Sequence, residues 1–165
     1  NSKKYIINKG GEIFFAELTK ENICKEINKT INYLRARLSK KITLEFEHPK
    51  DEIIVYLNNQ LFSWSLENII KNSIDSIKDS GKVKISIIEE NEYLKIYISD
   101  NGIGIKQSLK NKIFNPGVTT KERGWGLGLS LSKRIIEEYH KGEIKLIESI
   151  VGQGTKMLIK LKAVK

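Results

Sequence analysis

The sequence predicts an α+β two-layer sandwich, in which three helices cover one face of a mixed, mostly antiparallel sheet. Two observations lead to this prediction. Segments with the alternation or apolar runs of strands outnumber the segments with helical spacing. Most of these strand candidates are also joined by short connections, which force neighbouring strands to run antiparallel.

The composition is that of one globular domain. The chain has 165 residues, of which 39% are hydrophobic and 30% charged, which is enough for a proper core. The single cysteine excludes an internal disulfide, and one cysteine with two histidines cannot build a Cys/His metal site. The net charge of +9 would suit an anionic partner. The lysines are scattered, however, and not gathered with aromatic residues, so we expect no nucleic-acid binding.

The chain opens on Asn1, and its one methionine is Met157. We therefore expect a piece of a longer protein. Residues 1–10 would be a linker or the tail of an upstream helical domain, and residues 11–165 would form the domain. The sequence contains no run of about 18 apolar residues and no signal-peptide pattern at its start.

The order of elements follows from apolar periodicity and turn signals. Strands are expected at 12–18, 41–47, 52–57, 82–90, 93–99, 143–149 and 155–161, and helices at 19–38, 59–78 and 125–139. Thr19 is the expected cap of the first helix, and Ser80-Gly81 is the expected stop of the second. The stretch 100–124 is rich in Gly, Asn and Thr. It is long for a connection, so we expect functional residues there.

Two asparagines stand one turn apart in the second predicted helix, in "LENIIKNSID" (66–75). Asparagine is a poor helix-interior residue because its side chain competes for backbone hydrogen bonds. At four residues' separation, Asn68 and Asn72 lie about 6 Å apart on one face. Helix formation does not explain this pair, and its explanation depends on the glycine-rich segments that follow.

The first of these segments is "SDNGIGI" (99–105). Asp100 stands at the end of an apolar strand, where its carboxylate can accept a hydrogen bond from an exocyclic amine such as that of adenine. Gly102 and Gly104 allow the backbone to turn and to approach a ligand closely. Taken alone, the segment fits an ordinary Asp-Asn-Gly turn equally well.

Two more segments complete the pattern. In "GWGLGLSLSKRI" (124–135), three glycines run into an amphipathic helix, whose exposed N–H groups and dipole favour a phosphate. No GxxxxGK[ST] motif occurs, so this is not a Walker A loop, and the βαβ unit of a dinucleotide fold is missing. "VGQGT" (151–155) lies between the last two strands, and alone it fits a hairpin turn.

The combination resembles the catalytic and ATP-binding domain of sensor histidine kinases, in the GHKL superfamily with its Bergerat nucleotide-binding fold. The family's five sequence boxes have similar segments here, in the family's order. They are the N box "ENIIKNSID" (67–75), the first glycine box "DNGIG" (100–104), the F box "IFNPGVTTK" (113–121), the second glycine box "GWGLGL" (124–129) and the third "GQGT" (152–155).

The resemblance implies ATP and Mg²⁺ as ligands, and it implies roles for individual residues. Asn72 would coordinate Mg²⁺, with Asn68 assisting at the phosphate end, and these two are the catalytic candidates. Asp100 would bind the adenine amino group with support from Thr155, and residues 104–124 would form the ATP lid. The binding residues implied are Asn68, Asn72, Asp75, Asp100, Gly102, Gly104, Ile105, Thr120, Lys121, Arg123, Gly124, Gly126, Leu127, Gly128, Leu129 and Thr155.

Two departures from the family pattern affect the expected chemistry. Many members carry a Lys and then a Tyr or Arg three and four places after the magnesium asparagine, where this sequence has Asp75 and Ser76. The gyrase-type ATPases of the superfamily carry a catalytic Glu where this sequence has Asn68. Because Asn cannot act as a general base for water, we expect poor ATP hydrolysis and a phosphotransferase activity.

The resemblance therefore implies the catalytic half of an ATP-dependent protein-histidine kinase of two-component signal transduction. The γ-phosphoryl group would pass to a histidine on a dimerisation domain outside this chain, because His48 and His140 lack the phosphoacceptor context. The expected partners are ATP, that dimerisation domain and a response regulator receiver domain. We expect the fragment to be monomeric, its parent to be homodimeric and its location to be the bacterial cytoplasm, with an inner-membrane anchor of the parent left open.

Two alternatives remain open. One is a serine-type kinase of the same superfamily, like anti-sigma factor kinases or dehydrogenase kinases, which the "TTK" and "GLGL" segments disfavour. The other is a non-catalytic nucleotide-sensing interaction module, which the retention of Asn72, Asp100 and the glycines disfavours.

Overall fold

The computed structural model describes residues 3–9, 12–117 and 128–164. Its strands are β1 (Lys3–Lys9), β2 (Glu12–Asn22), β3 (Ile42–Glu47), β4 (Ile54–Leu57), β5 (Gly81–Glu90), β6 (Tyr93–Asp100), β7 (Glu143–Ile150) and β8 (Gly154–Lys162). Its helices are α1 (Ile23–Arg35), α2 (Asn59–Asp75), α3 (Gly128–Arg134), a 3₁₀ helix at Gln107–Lys112 and a π-helical segment at Ile135–Tyr139.

A mixed sheet of five strands, in the order β3-β5-β6-β8-β7, forms the main layer. Only the β3–β5 pair is parallel, and the other three pairs are antiparallel. A parallel pair needs a long crossover connection, and here that connection contains α2. The predicted α+β fold with a mixed, mostly antiparallel sheet is confirmed.

The sheet buries one face against the helices. Along β5, Val83, Ile85 and Ile87 are buried, whereas Lys82 and Lys84, on either side of Val83, reach the opposite face. This is the period of two that a strand covered on one side requires. The helices contribute residues at spacings of three and four to the same hydrophobic cluster, namely Ile23, Ile27, Ile31 and Leu34 of α1 and Phe62, Leu66, Ile69 and Ile70 of α2.

The prediction of a single sheet is wrong, because β1, β2 and β4 form a second, antiparallel sheet of three strands. The turn at 48–51 does not join hairpin partners, since β3 and β4 on either side of it belong to different sheets. Residues 3–9, predicted to be part of a linker or tail, form a strand along β2. The end of the chain connects the two sheets: Val55 bridges to Ala163, and the Val164 N–H donates to the Ile54 carbonyl at 2.8 Å.

The start of α1 also differs from the prediction. The helix begins at Ile23 because Asn22 is its cap, with a side-chain oxygen that accepts from the Lys25 N–H at 3.3 Å. Thr19, the predicted cap, lies within β2 and pairs with Leu57 of β4. The strand β2 thus continues to Asn22, three residues beyond the predicted cap.

The second helix ends three residues before the predicted Lys78. Its C-terminal cap is Ser76, whose N–H still bonds to the Asn72 carbonyl at 3.1 Å. The Ser76 carbonyl, however, accepts from the Ile103 N–H at 3.0 Å, so it is engaged outside the helix. Gly81 does not cap the helix and is the first residue of β5.

The third helix is described from Gly128 onward, so the predicted start at 125–127 lies outside the described residues. At Ile135 the helix widens into a π-helical segment, which the His140 N–H closes by donating to the Ile135 carbonyl five residues back at 3.1 Å. Such π turns are rare and often occur near functional sites.

Candidate functional site

Three segments that are far apart in the sequence meet beside the C-terminal end of α2. The segment after β6 is bonded on one side to α2 through Ile103 N–H and the Ser76 carbonyl. On its other side, the Ile103 carbonyl accepts from the Gly152 N–H of the β7–β8 turn at 2.9 Å. The structure therefore brings together the N box, the first glycine box and the third glycine box.

Asp100 is the last residue of β6, and its carboxylate is half-buried. One of its oxygens, Oδ1, accepts from the Gly102 N–H at 2.9 Å. The same oxygen lies 3.2 Å from the Ser76 hydroxyl, whose single proton has a closer acceptor in the Ser73 carbonyl at 2.7 Å. The Gly102 N–H therefore holds Oδ1 in place. Charged acceptors held in this way form hydrogen bonds stronger than neutral pairs do.

Glycines make this close arrangement of backbones possible. A Cβ atom at Gly102 would overlap the Ser76 hydroxyl, and one at Gly154 would overlap the carbonyl of Asp100. Gly154 also has φ of 131°, a conformation that residues with side chains rarely adopt. The adjacent segments can therefore approach Asp100 only because these positions lack side chains.

Thr155 stands directly beside Asp100, as its partner in the β6–β8 register. Its hydroxyl oxygen lies 2.7 Å from the hydroxyl oxygen of Ser149, which is 2% exposed. Ser149 also accepts from the Ile105 N–H at 2.8 Å. A buried polar cluster thus supports the side of the site that Asp100 and Thr155 form.

The N-box asparagines Asn68 and Asn72 lie on α2 and are both half-buried. Within the described part of the chain, the buried Nδ2 atom of Asn68 has no hydrogen-bond partner. A buried amide without a partner costs about 1–3 kcal/mol, and among the described residues Asn59 Oδ1 and Ser65 Oγ are buried without a partner as well. Asp75 occupies the last residue of α2 and is exposed.

The remaining predicted residues divide into two groups. Gly104 adopts φ of 75°, and a Cβ atom there would overlap the Ile150 carbonyl. Ile105 and Leu129 pack partly buried against the hydrophobic cluster, and Gly128 opens the described part of α3. Thr120, Lys121, Arg123, Gly124, Gly126 and Leu127 lie outside the described residues.

Ser76 and Ser149 are not among the predicted site residues. Ser76 could have been found, because it stands one turn after Asn72 on the same helix. Ser149 could not, because the β7–β8 register shifts between Leu146 and Glu148. That β-bulge changes which residues of the strand face inward, and no local sequence signal announces it.

Comparison with known proteins agrees with this geometry. Residues 60–165 match the family of histidine kinase-, DNA gyrase B- and HSP90-like ATPases. Sporulation kinase E of Bacillus subtilis is 32% identical over 137 residues, which are 82% of this chain and 18% of that protein. The nitrogen regulation protein NtrY of Azorhizobium caulinodans is 37% identical over 113 residues, 64% of this chain and 14% of that protein. The chain thus spans less than a fifth of both relatives.

Among solved structures, the catalytic domain of histidine kinase ThkA superimposes with a TM-score of 0.79 at 28% identity, over 88% of this chain and 95% of that one. ThkA solved in complex with the response regulator protein TrrA gives 0.78 at 25% identity, over 91% of this chain and 43% of that one.

The chain belongs to the histidine kinase-, DNA gyrase B- and HSP90-like ATPase family. Within that family it is an ATP-binding catalytic domain of the sensor histidine kinase type. Among the described residues, no helix is long and apolar enough to cross a membrane.

Proposed function

We propose that this domain binds ATP with Mg²⁺ and provides the γ-phosphoryl group for transfer to a histidine on the dimerisation domain of its parent protein. The observation that carries the proposal is the fixed carboxylate of Asp100. Its Oδ1 is held by the Gly102 N–H at 2.9 Å, and Oδ2 would accept from the exocyclic amine of adenine. Thr155 lies beside it in the neighbouring strand.

The phosphate end of the site would lie along α2. The side-chain oxygen of Asn72 is of the type that Mg²⁺ prefers, and this ion usually takes few protein ligands while substrate phosphates supply others. The partnerless Nδ2 of Asn68 is a donor suited to a phosphate oxygen. When bound, Mg²⁺ would neutralise phosphate charge. The start of α3 at Gly128 and the second glycine box before it would complete the phosphate end.

The chemistry of these side chains favours transfer over hydrolysis. Phosphoryl transfer is catalysed mainly by positioning and by charge stabilisation. Asn68 and Asn72 orient and donate, but an amide cannot remove a proton from water at neutral pH. We therefore propose that the acceptor domain supplies the base, and that the isolated domain holds the nucleotide without consuming it.

The partners follow from this role. The acceptor domain would be part of a homodimeric parent, a response regulator receiver domain would take the phosphoryl group next, and this domain alone would be monomeric. The complex of ThkA with TrrA supports the partnership with a response regulator. We propose a cytoplasmic location in a bacterium, because ATP is the phosphoryl donor and the relatives are bacterial.

The binding proposal is tested by calorimetric titration with a non-hydrolysable ATP analogue, in Mg²⁺ and in EDTA. Asp100→Asn keeps an acceptor oxygen for Gly102 but can place an NH₂ group towards the adenine amine. We expect it to weaken binding about 10- to 100-fold, whereas the matched control Asp51→Asn, in the exposed turn before β4, leaves affinity unchanged. Equal affinities of Asp100→Asn and the unmutated domain would refute this adenine site.

Phosphotransfer is tested by incubating the domain and labelled ATP with the parent's dimerisation domain. A label on that partner that is lost in acid but stable in base identifies phosphohistidine, whereas an acid-stable label would favour the serine-type kinase. Nucleotide binding without transfer would favour the sensing module.

A further inference from the structure

We propose that the outer face of the five-stranded sheet, the face opposite the helices, docks an extended acidic segment of a partner protein. The contact would be made by two lysines of β8, Lys156 and Lys160, with Leu158 between them. These two lysines are called the lysine pair below. Docking there needs no nucleotide, so it is independent of the proposed function.

Each member of the lysine pair lies over a tyrosine ring of the neighbouring strand β6. Lys156 Nζ is 4.6 Å from the centre of the Tyr97 ring, and Lys160 Nζ is 4.2 Å from the centre of the Tyr93 ring. In both cases the tyrosine stands two residues before the lysine's register partner, so the two lysines lean in the same direction. Cation–π contacts of this kind are attractive, and both ammonium groups are therefore held in position before a partner binds.

The charge of the lysine pair is not neutralised by neighbouring side chains. Within the part of the chain that the structure describes, no carboxylate lies within 4 Å of either ammonium group. Glu143, which pairs with Lys160 in the β7–β8 register, bonds to Lys145 at 3.2 Å instead. On its other side Lys160 faces Lys95, which bonds to Glu90 at 2.8 Å. Because like charges in opposing positions destabilise a sheet, the stability of the sheet does not explain Lys160.

An apolar residue, Leu158, lies at the centre of this surface. It is 8% exposed, yet it is not part of the core cluster to which Met157 and Ile159 on either side of it belong. Its side chain therefore lies on the outer face, where its register partners are Tyr97 of β6 and Lys145 of β7. The outer face of β8 thus presents lysine, leucine and lysine at every second residue.

This spacing defines the segment that would match the surface. Strand residues rise about 3.4 Å each, so the lysine pair is about 14 Å apart along β8, with Leu158 halfway. An extended peptide also places every second side chain on one face. A segment with acidic residues at positions i and i+4 and an apolar residue at i+2 therefore complements all three positions.

Two other kinds of anionic partner match the outer face less well. An anionic membrane would meet carboxylates along both edges of the sheet, namely Glu45 and Glu47 of β3 and Glu143 and Glu148 of β7. Single-stranded nucleic acid binds by stacking its bases on aromatic rings, whereas lysines lie over both tyrosine rings here. An acidic peptide requires neither a broad cationic plane nor an uncovered ring.

The test is an NMR titration of the isotope-labelled domain with two end-capped peptides at about 20 mM salt, where surface charges are weakly screened. The matching peptide is Ser-Glu-Ser-Leu-Ser-Glu-Ser. The permuted peptide, Ser-Ser-Glu-Glu-Leu-Ser-Ser, has the same composition and charge without the spacing. We expect the matching peptide to shift the amide signals around the lysine pair and to bind about threefold more tightly than the permuted one.

Variants test the lysine pair itself. Lys156→Glu combined with Lys160→Glu should weaken binding of the matching peptide about tenfold. Lys156→Gln combined with Lys160→Gln should weaken it about threefold, and this pair keeps the test open if charge reversal prevents folding. The control combines Lys25→Glu with Lys40→Glu, which changes the net charge as much at two exposed positions outside the sheet. Its affinity should equal that of the unmutated domain.

Equal affinities for the two peptides, or equal losses in the Lys→Glu variant of the lysine pair and in its control, would overturn the proposal, because net charge alone would then explain binding. Tighter binding of a single-stranded oligothymidylate, or of vesicles containing phosphatidylserine, that depends on the lysine pair would also overturn it. The outer face would then be assigned to a nucleic acid or to a membrane.

Discussion

The Nε2 atom of His140 accepts a hydrogen bond of 3.1 Å from the backbone N–H of Asn58, a residue 82 positions earlier. Its other ring nitrogen, Nδ1, lies 2.9 Å from the Ile135 carbonyl. Since a carbonyl can only accept, Nδ1 carries the proton and the ring is neutral. This buried imidazole joins the beginning of α2 to the end of the π-helical segment.

The domain should lose stability in mild acid because of this ring. Burial lowers the pKa of His140 below its ordinary value of 6.5. The unfolded chain therefore takes up the proton more readily than the folded domain. The contribution of His140 to the free energy of unfolding is complete above about pH 6.5 and is lost as the pH falls towards the folded-state pKa. The loss is about 1.4 kcal/mol for each pH unit that separates the two pKa values. Urea unfolding between about pH 5 and about pH 8 measures this slope.

Replacement of the His140 imidazole isolates its contribution to the pH dependence of stability. His140→Gln should flatten the pH dependence, whereas His48→Gln in the exposed turn before β4 should leave it as it is. An identical slope in His140→Gln would show that other groups are responsible.

Gly102 should tolerate no side chain. A Cβ atom there overlaps the Ser76 hydroxyl and lies 2.8 Å from the Ser76 backbone carbon, so Gly102→Ala must displace the cap of α2. We expect a loss of about 1–3 kcal/mol in the free energy of unfolding. The matched control is Gly128→Ala, where nothing lies within 4 Å, and its stability should be equal or higher. Similar denaturation midpoints for the two variants would contradict this packing.

Asn68 should destabilise the nucleotide-free domain and contribute to nucleotide affinity. Asn68→Leu removes the buried partnerless amide and should raise the free energy of unfolding by about 1 kcal/mol, or the melting temperature by about 2–4 °C, while it lowers nucleotide affinity. Ser65→Ala removes another buried partnerless oxygen on α2 and should leave affinity unchanged. Thermal melts with and without the ATP analogue separate the two effects, and a destabilised Asn68→Leu would count against a role reserved for a ligand.

Magnesium should matter only through Asn72 and the phosphates. Asn72→Ala is expected to abolish the difference in nucleotide affinity between Mg²⁺ and EDTA, because no cluster of three or more acidic, His or Cys side chains among the described residues offers another metal site. Calorimetry in both buffers measures this difference. A Mg²⁺ effect of unchanged size in Asn72→Ala would place the ion elsewhere.

Much of the sheet could be predicted because its signals are local. Strands such as β5 alternate so regularly that Val83, Ile85 and Ile87 identify the buried face without further information. The second sheet could not be predicted, since the pairing of β2 with β4 depends on which strands are left unpaired after the main sheet forms. The end of α2 could not be predicted either, because it depends on a group distant in the sequence, the Ile103 N–H, which donates to the Ser76 carbonyl.

In the site, too, the residues with a local sequence signal could be predicted and those placed by distant contacts could not. Asp100 and the glycines are recognisable because only a few residue types permit such close backbone contacts. Ser149 was missed because one inserted residue in β7 changes the strand's inward face.

The π-helical segment at Ile135–Tyr139 has a consequence for the tolerance of this domain to deletions. One surplus residue in a helix rotates everything on one side of it by about 100° relative to the other. Here Ser132 of α3 donates to the Ser65 carbonyl of α2 at 3.4 Å, and His140 after the π-helical segment accepts from the Asn58 N–H at the start of α2. Deleting a single residue between 135 and 139 would restore regular α-helical turns, but it would turn either Ser132 or His140 away from its partner. Closely related chains should therefore vary in length at the loops and keep this helix at constant length.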